Sequence, residues 1–240
     1  MNDDTRLKEW FVPKFGPVRF RAFAGLLFIP YTGMCISFVM IGSILPNAIL
    51  WDRVGAIAVI YLLALGISAH AADGLGSRNI KPWGRYFSNR QLWLLIILSL
   101  VTAYSIGIYY MVFYVPLLWI VSILEGFFVF AYNLELFHGC FHNDFWFAVS
   151  WGVLPLLAGF IMQTNSIGVM PLSISIVTGL VSYVEIKISR PYKELKRLSQ
   201  DGLRVKRLEV WLKIISLGTI AIATISIICR LLFHHFVIRN

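Results

Sequence analysis

Seven apolar runs, each at or near the ~20 residues that a bilayer crossing needs, constrain this chain more than any other feature. They lie at about 20–44, 53–72, 91–110, 112–134, 144–165, 167–186 and 210–233. The third and fourth nearly touch, as do the fifth and sixth, and those joints carry little polar sequence. A backbone in lipid must satisfy its own hydrogen bonds, which leaves helices and closed barrels as spanning forms. Long runs without strict alternation point to helices. Composition agrees: 58% of the 240 residues are hydrophobic and 14% are charged, too few for the surface of a soluble domain of this length. The sequence therefore predicts an all-α, polytopic transmembrane bundle of about seven spans, one integral membrane domain over 1–240. The first apolar run is too long for a cleavable signal peptide. Cys35, Cys140 and Cys229 are isolated and form neither a disulfide framework nor a zinc pattern.

A net charge of +9 would suit nucleic acid, but its distribution argues for a membrane partner instead. With the N-terminus in the cytoplasm, one face collects 18 of the 21 Lys and Arg and the other collects 3. The positive-inside rule then puts the N-terminus and the 2–3, 4–5 and 6–7 loops in the cytoplasm and the C-terminus outside. The expected location is the plasma membrane, with the lipid bilayer as partner and no nucleic acid. The stretch 187–209 has mixed charge and helical apolar spacing, and reads as a short amphipathic helix on the membrane surface.

Three polar clusters fall on the cytoplasmic face of this topology. The first is His70, Asp73, Ser77, Arg78, Lys81 and Arg85, where the second run meets a basic loop. The second runs from Tyr132 and Asn133 through Glu135, His138 and His142 to Asp144. The third is Glu185, Ser189, Arg190 and Lys193. The first and third echo one another, each with an acid, a serine four residues on, then arginine. On a helix such positions share a face. Polar groups at the end of a span are costly unless they are used. Carboxylates neutralise a diphosphate through Mg²⁺, and Arg and Lys do so directly. An allylic cation left by diphosphate loss needs a dry aromatic lining, and 15% of the residues are aromatic. His138 and His142 are spaced to chelate zinc or iron on a helix, but Gly139 and Cys140 read as a turn, so these residues are expected to cap the hairpin or bond a headgroup. Glu125 lies inside the fourth run, as a functional acid or an interhelical contact.

Two resemblances follow from these residues. His70, Asp73, Gly74, Ser77 and Arg78 resemble the opening of the CDP-alcohol phosphatidyltransferase motif. Phe87, Gln91 and Leu95 stand where its second half has glycine and two aspartates. The whole layout, over about 20–230, resembles the UbiA superfamily of intramembrane prenyltransferases. Ala69, His70, Asp73 and Ser77 fall at the positions of that family's first aspartate-rich motif, and Glu185 and Ser189 at those of its second. Ala131-Tyr132-Asn133, leading to Trp151-Gly152, is similar to its helix 4–5 region. One carboxylate per motif is present where the family's pattern has more.

The UbiA resemblance implies a prenyltransferase acting on an isoprenoid diphosphate or related lipid at a cytoplasm-facing intramembrane site. Asp73 and Glu185 would hold Mg²⁺. Arg78, Lys81, Arg85, Arg190 and Lys193 would bind the diphosphate. His70, Tyr132, Asn133 and Glu135 would position the second substrate or the cation. A terpene-cyclase outcome and a non-catalytic lipid-binding or assembly protein stay open beside it.

Overall fold

The computed structural model describes residues 7–76, 83 and 86–239, with side chains through 232. No strand occurs among them. The helices are α1 (Val18–Leu26), α2 (Ile29–Ile44), α3 (Trp51–Gly76), α4 (Asn89–Phe113), α5 (Leu118–Ala131), α6 (Asp144–Thr164), α7 (Val169–Arg197) and α8 (Gly202–Arg239). Five of them are long and apolar enough to cross a membrane, or six if the bent pair α1–α2 is one span. The expected fourth span is shorter than the sequence indicates. Its helix, α5, has 14 residues.

Local chemistry explains several boundaries. Ser88 opens α4 with a capping box, accepting from Gln91 N while the Gln91 side chain accepts from Ser88 N. The Asn143 side chain caps α6 by accepting from Trp146 N at 3.1 Å. Pro30 sits in the first turn of α2, where a missing N–H costs nothing. Asn165 ends α6 in the left-handed region (φ 48°), and its side chain accepts from Leu117 N at 2.9 Å.

One expectation needs correction. Residues 187–209 are not a separate surface helix: α7 runs unbroken through Pro191 to Arg197, and α8 begins at Gly202. Pro191 leaves only the Lys187 carbonyl without its helical donor, and Lys187 is exposed. The extension is tied to the N-terminal segment. The Tyr192 hydroxyl donates to Glu9 Oε2 at 2.7 Å, and Lys196 Nζ pairs with the same oxygen at 2.7 Å.

α6 is the centre of the bundle and packs against α2, α3, α5 and α7. Of its most apolar 18-residue window 72% is buried, against 17% for α8, which lies on the outside against α2 and α7. Between helices in lipid no hydrophobic difference drives association, so close backbone approach has to supply the contact. The α2–α6 crossing shows how. A Cβ on Gly42 would overlap the Leu156 carbonyl, and one on Gly159 would overlap the Val39 carbonyl. Ser43 Oγ, at the same crossing, donates to Val39 O at 2.9 Å. The two ends of the bundle are separately tied. At one, Gln163 bonds the Leu50 backbone (2.8 and 3.2 Å) and Arg53 donates to Met162 O. At the other, the basic end, lie the last turns of α3, α5 and α7 and the first of α6. α5, short as it is, reaches both: Leu117 meets Asn165, and Asn133 just beyond its end meets Gly76.

Candidate functional site at the basic end

Three of the bundle's spans lose regular α-helical geometry, and the irregular residues meet. The α1–α2 pair bends by 41° at Leu27–Phe28, with Phe28 in the left-handed region (φ 45°). In α3, Leu62–Ala69 form a π-helical stretch that ends against His70. In α6, Val149–Val153 form another, with Trp151 at its middle. The His70 ring lies between Phe28 (centroids 5.5 Å apart) and Trp151 (5.1 Å). Wide turns concentrate at functional sites, because they re-aim side chains at a cost in helix geometry. Broken backbone at membrane depth also needs substitute partners. Thr32 provides one, its hydroxyl donating to the Leu27 carbonyl at 2.6 Å. Thr32 Oγ1 then acts as acceptor towards His70 Nε2, 3.3 Å away, which assigns the proton of a neutral His70 to Nε2.

α7 supplies the charged side. Glu185 and Ser189 share one face and are 1% and 0% exposed, as their spacing predicts. The Tyr31 hydroxyl donates to Ser189 Oγ at 2.6 Å and also faces the Glu185 carboxyl. Glu185 Oε2 is buried with no hydrogen-bond partner. Lys193 Nζ sits 4.8 Å from the Phe28 ring centre and 5.7 Å from that of Tyr31, a cation over two aromatic faces. Its charge acts on both His70 and Glu185, so these groups form one cluster.

A second cluster adjoins it. Arg190 Nε pairs with Asp144 Oδ1 at 3.0 Å, Lys187 Nζ with Asp144 Oδ2 at 2.7 Å, and the Arg190 charge also acts on Tyr132. Asp73 acts electrostatically on Tyr132, which places it on this side of the site. The end of α3 can approach because Gly76 has no side chain. A Cβ there would overlap the Asn133 carbonyl.

His70, Asp73, Tyr132, Glu185, Arg190 and Lys193 are thus brought to one end of the bundle. Asn133 is turned away: its amide donates to Val129 O at 3.0 Å. Glu135 begins the strained turn after α5, where Glu135, Phe137 and His138 have positive φ values of 51°, 54° and 59°. His138 and His142 therefore share no helix face. His142 closes the hairpin instead, with Nδ1 2.9 Å from Tyr132 O and its ring stacked on Tyr132. Arg78, Lys81 and Arg85, with Ser77, lie outside the described residues. Phe28, Tyr31 and Thr32 escaped the sequence reading, although Pro30 marked a helix restart beside them.

Mg²⁺ takes near-octahedral oxygen ligands, most of them waters and substrate phosphates beside one or two carboxylates. Glu185 faces a tyrosine hydroxyl and the Lys193 ammonium. Among the described residues no three His, Cys, Asp or Glu side chains gather to hold a metal. The segment 77–87 contains no acid that would complete such a set. The side chains favour an anion held by Lys193, Arg190 and aromatic faces. Comparison with known protein families, curated proteins and solved structures returns no match to this chain.

Proposed function

We propose that this chain is a seven-span plasma-membrane protein, N-terminus inside and C-terminus outside. In this reading it binds an isoprenoid diphosphate or a related phosphorylated lipid at the basic end, on a UbiA-like scaffold. The observation that carries the reading is the meeting of three helix irregularities at His70, next to Lys193. Nothing in the packing of a plain bundle calls for Phe28, the α3 π turn and the α6 π turn to coincide. Discontinuous helices at membrane depth mark ligand sites in other membrane architectures. Lys193 and Arg190, joined by Arg78, Lys81 and Arg85 of the sequence that follows α3, would neutralise the phosphates. Phe28, Tyr31 and Trp151 would cover the first carbons of the chain, and Nδ1 of a neutral His70 would accept one hydrogen bond. Alkyl transfer is the reaction class that the UbiA resemblance implies, and Asp73 and Tyr132 are the groups placed to orient an acceptor.

Mass spectrometry of lipid retained through purification tests this, together with binding of farnesyl diphosphate in nanodiscs. A phosphorylated isoprenoid or lipid is expected, with binding unchanged by EDTA and weakened about tenfold in Lys193→Met, the loss of one charge-assisted contact. Retention of no phosphorylated lipid, or binding equal in wild type, Lys193→Met and Asp73→Ala, would overturn the proposal.

A further inference from the structure

After α5 the chain turns back on itself. Glu135, Phe137 and His138 hold positive φ values of 51°, 54° and 59°. A bulky residue in that region is costly, and such strain persists only where the surroundings hold it. Aromatic packing holds it here. The Phe137 and Phe141 rings lie 6.1 and 4.9 Å from the Phe127 ring. Phe127 precedes Tyr132 by five residues, so these rings lie about 7 Å back along α5, towards the membrane centre. On the inner side, Phe141 packs against Trp146 at 5.4 Å and the buried Phe128 at 6.2 Å. The outer side is bare: Phe137 is 61% exposed and Phe145, at the start of α6, 60%.

We infer that residues 134–143 form a re-entrant hairpin that dips into the leaflet at the basic end, with Leu136 and Phe137 against acyl chains. Bilayer lipid, not a partner protein, fits this face for two reasons. The face continues the exposed row of Ile120, Ile123 and Phe127 on α5, the side that a spanning helix turns to lipid. The rings also lie on the membrane side of Lys187 and Arg190, and such cations keep to headgroup level. A partner arriving from water would have to pass below the headgroups, where acyl chains already are. The stem of the hairpin is the Arg190 cluster, since Tyr132 precedes it and Asp144, paired with Arg190 at 3.0 Å, follows it. Lipid grip on the tip therefore sets the height of that cluster at the leaflet surface.

The test places a nitroxide on Cys140, which is exposed at the tip, in the full chain in phosphatidylcholine nanodiscs. Cys229→Ser removes the other exposed thiol, and Cys35 is buried. Ile222→Cys on the outer side of α8 and Gln200→Cys between α7 and α8 are exposed positions that supply the lipid and water references, each with Cys140→Ser and Cys229→Ser. Collisions with oxygen, which concentrates in hydrocarbon, are read against collisions with a water-soluble nickel chelate. Cys140 is expected to follow Ile222, with most of the nickel collisions seen at Gln200 lost. Phe137→Asp, a charge where lipid should be, is expected to restore them. Nickel collisions at Cys140 equal to those at Gln200, or unchanged by Phe137→Asp, would overturn the hairpin assignment. The ligand proposal for the His70 site would still stand, because the two share only the placement of the bundle in a bilayer. Nickel access at Ile222 as well would overturn that shared placement.

Discussion

Glu185 and Glu125 make the same local arrangement in two regions. Each is a buried carboxyl facing a tyrosine hydroxyl from a neighbouring helix, and each keeps an Oε2 with no partner. Their surroundings differ. Glu185 sits in a filled cluster of Tyr31, Ser189 and Lys193, beside the side of the bundle where α2 and α6 cross backbone to backbone. Glu125 sits at the edge of an apolar void, on the side where α4 and α5 separate. The difference teaches that an unpartnered carboxyl is tolerated for two reasons. Near a cation it faces a polar cluster, whereas beside a void it faces hydrocarbon.

Substitutions should separate the two sides by size of effect. Gly159→Val places a methyl against the Val39 carbonyl. It should cost about 3 kcal/mol or more, read as loss of folded protein in a detergent unfolding series. The same series on Gly107→Val should show almost no change, and equal losses at the two glycines would erase the contrast. Next in size, Glu185→Leu removes the buried carboxyl that faces the Tyr31 hydroxyl and the half-buried Lys193 ammonium. About 2 kcal/mol is expected, the cost of losing a buried hydrogen-bonding group beside a cation. Glu125→Leu removes one hydrogen bond and one orphan oxygen together. It should fall within about 1 kcal/mol of wild type in the same unfolding series. A Glu125→Leu loss as large as that of Glu185→Leu would show that the two carboxyls carry equal structural weight.

Much of the architecture was legible because lipid leaves few ways to satisfy a backbone. The positions of all seven apolar runs reappear as helices, with the 20–44 run broken into α1 and α2. The Glu185–Ser189 face was legible from its spacing of four. The π turns were not. A wide turn depends on how a helix is pressed by its neighbours, and Leu62–Ala69 has no residue that marks it in isolation. The His138–His142 spacing misled for a related reason, since three successive-turn residues with positive φ take that segment out of the helix. The charged stretch after Ile186 looked like a surface helix because its partners, Glu9 and Glu209, lie far away in sequence.

The unbroken α7 also works as a ruler. Its 29 residues extend about 44 Å, against a hydrocarbon layer of about 30 Å. Measured from Val169, the layer would end near Ser189, which leaves Arg190 and Lys193 at the level of lipid phosphates. Under the proposed function, a lipid would present its headgroup to this site while its chain stays in the leaflet, so binding would require lateral sliding and no extraction from the membrane.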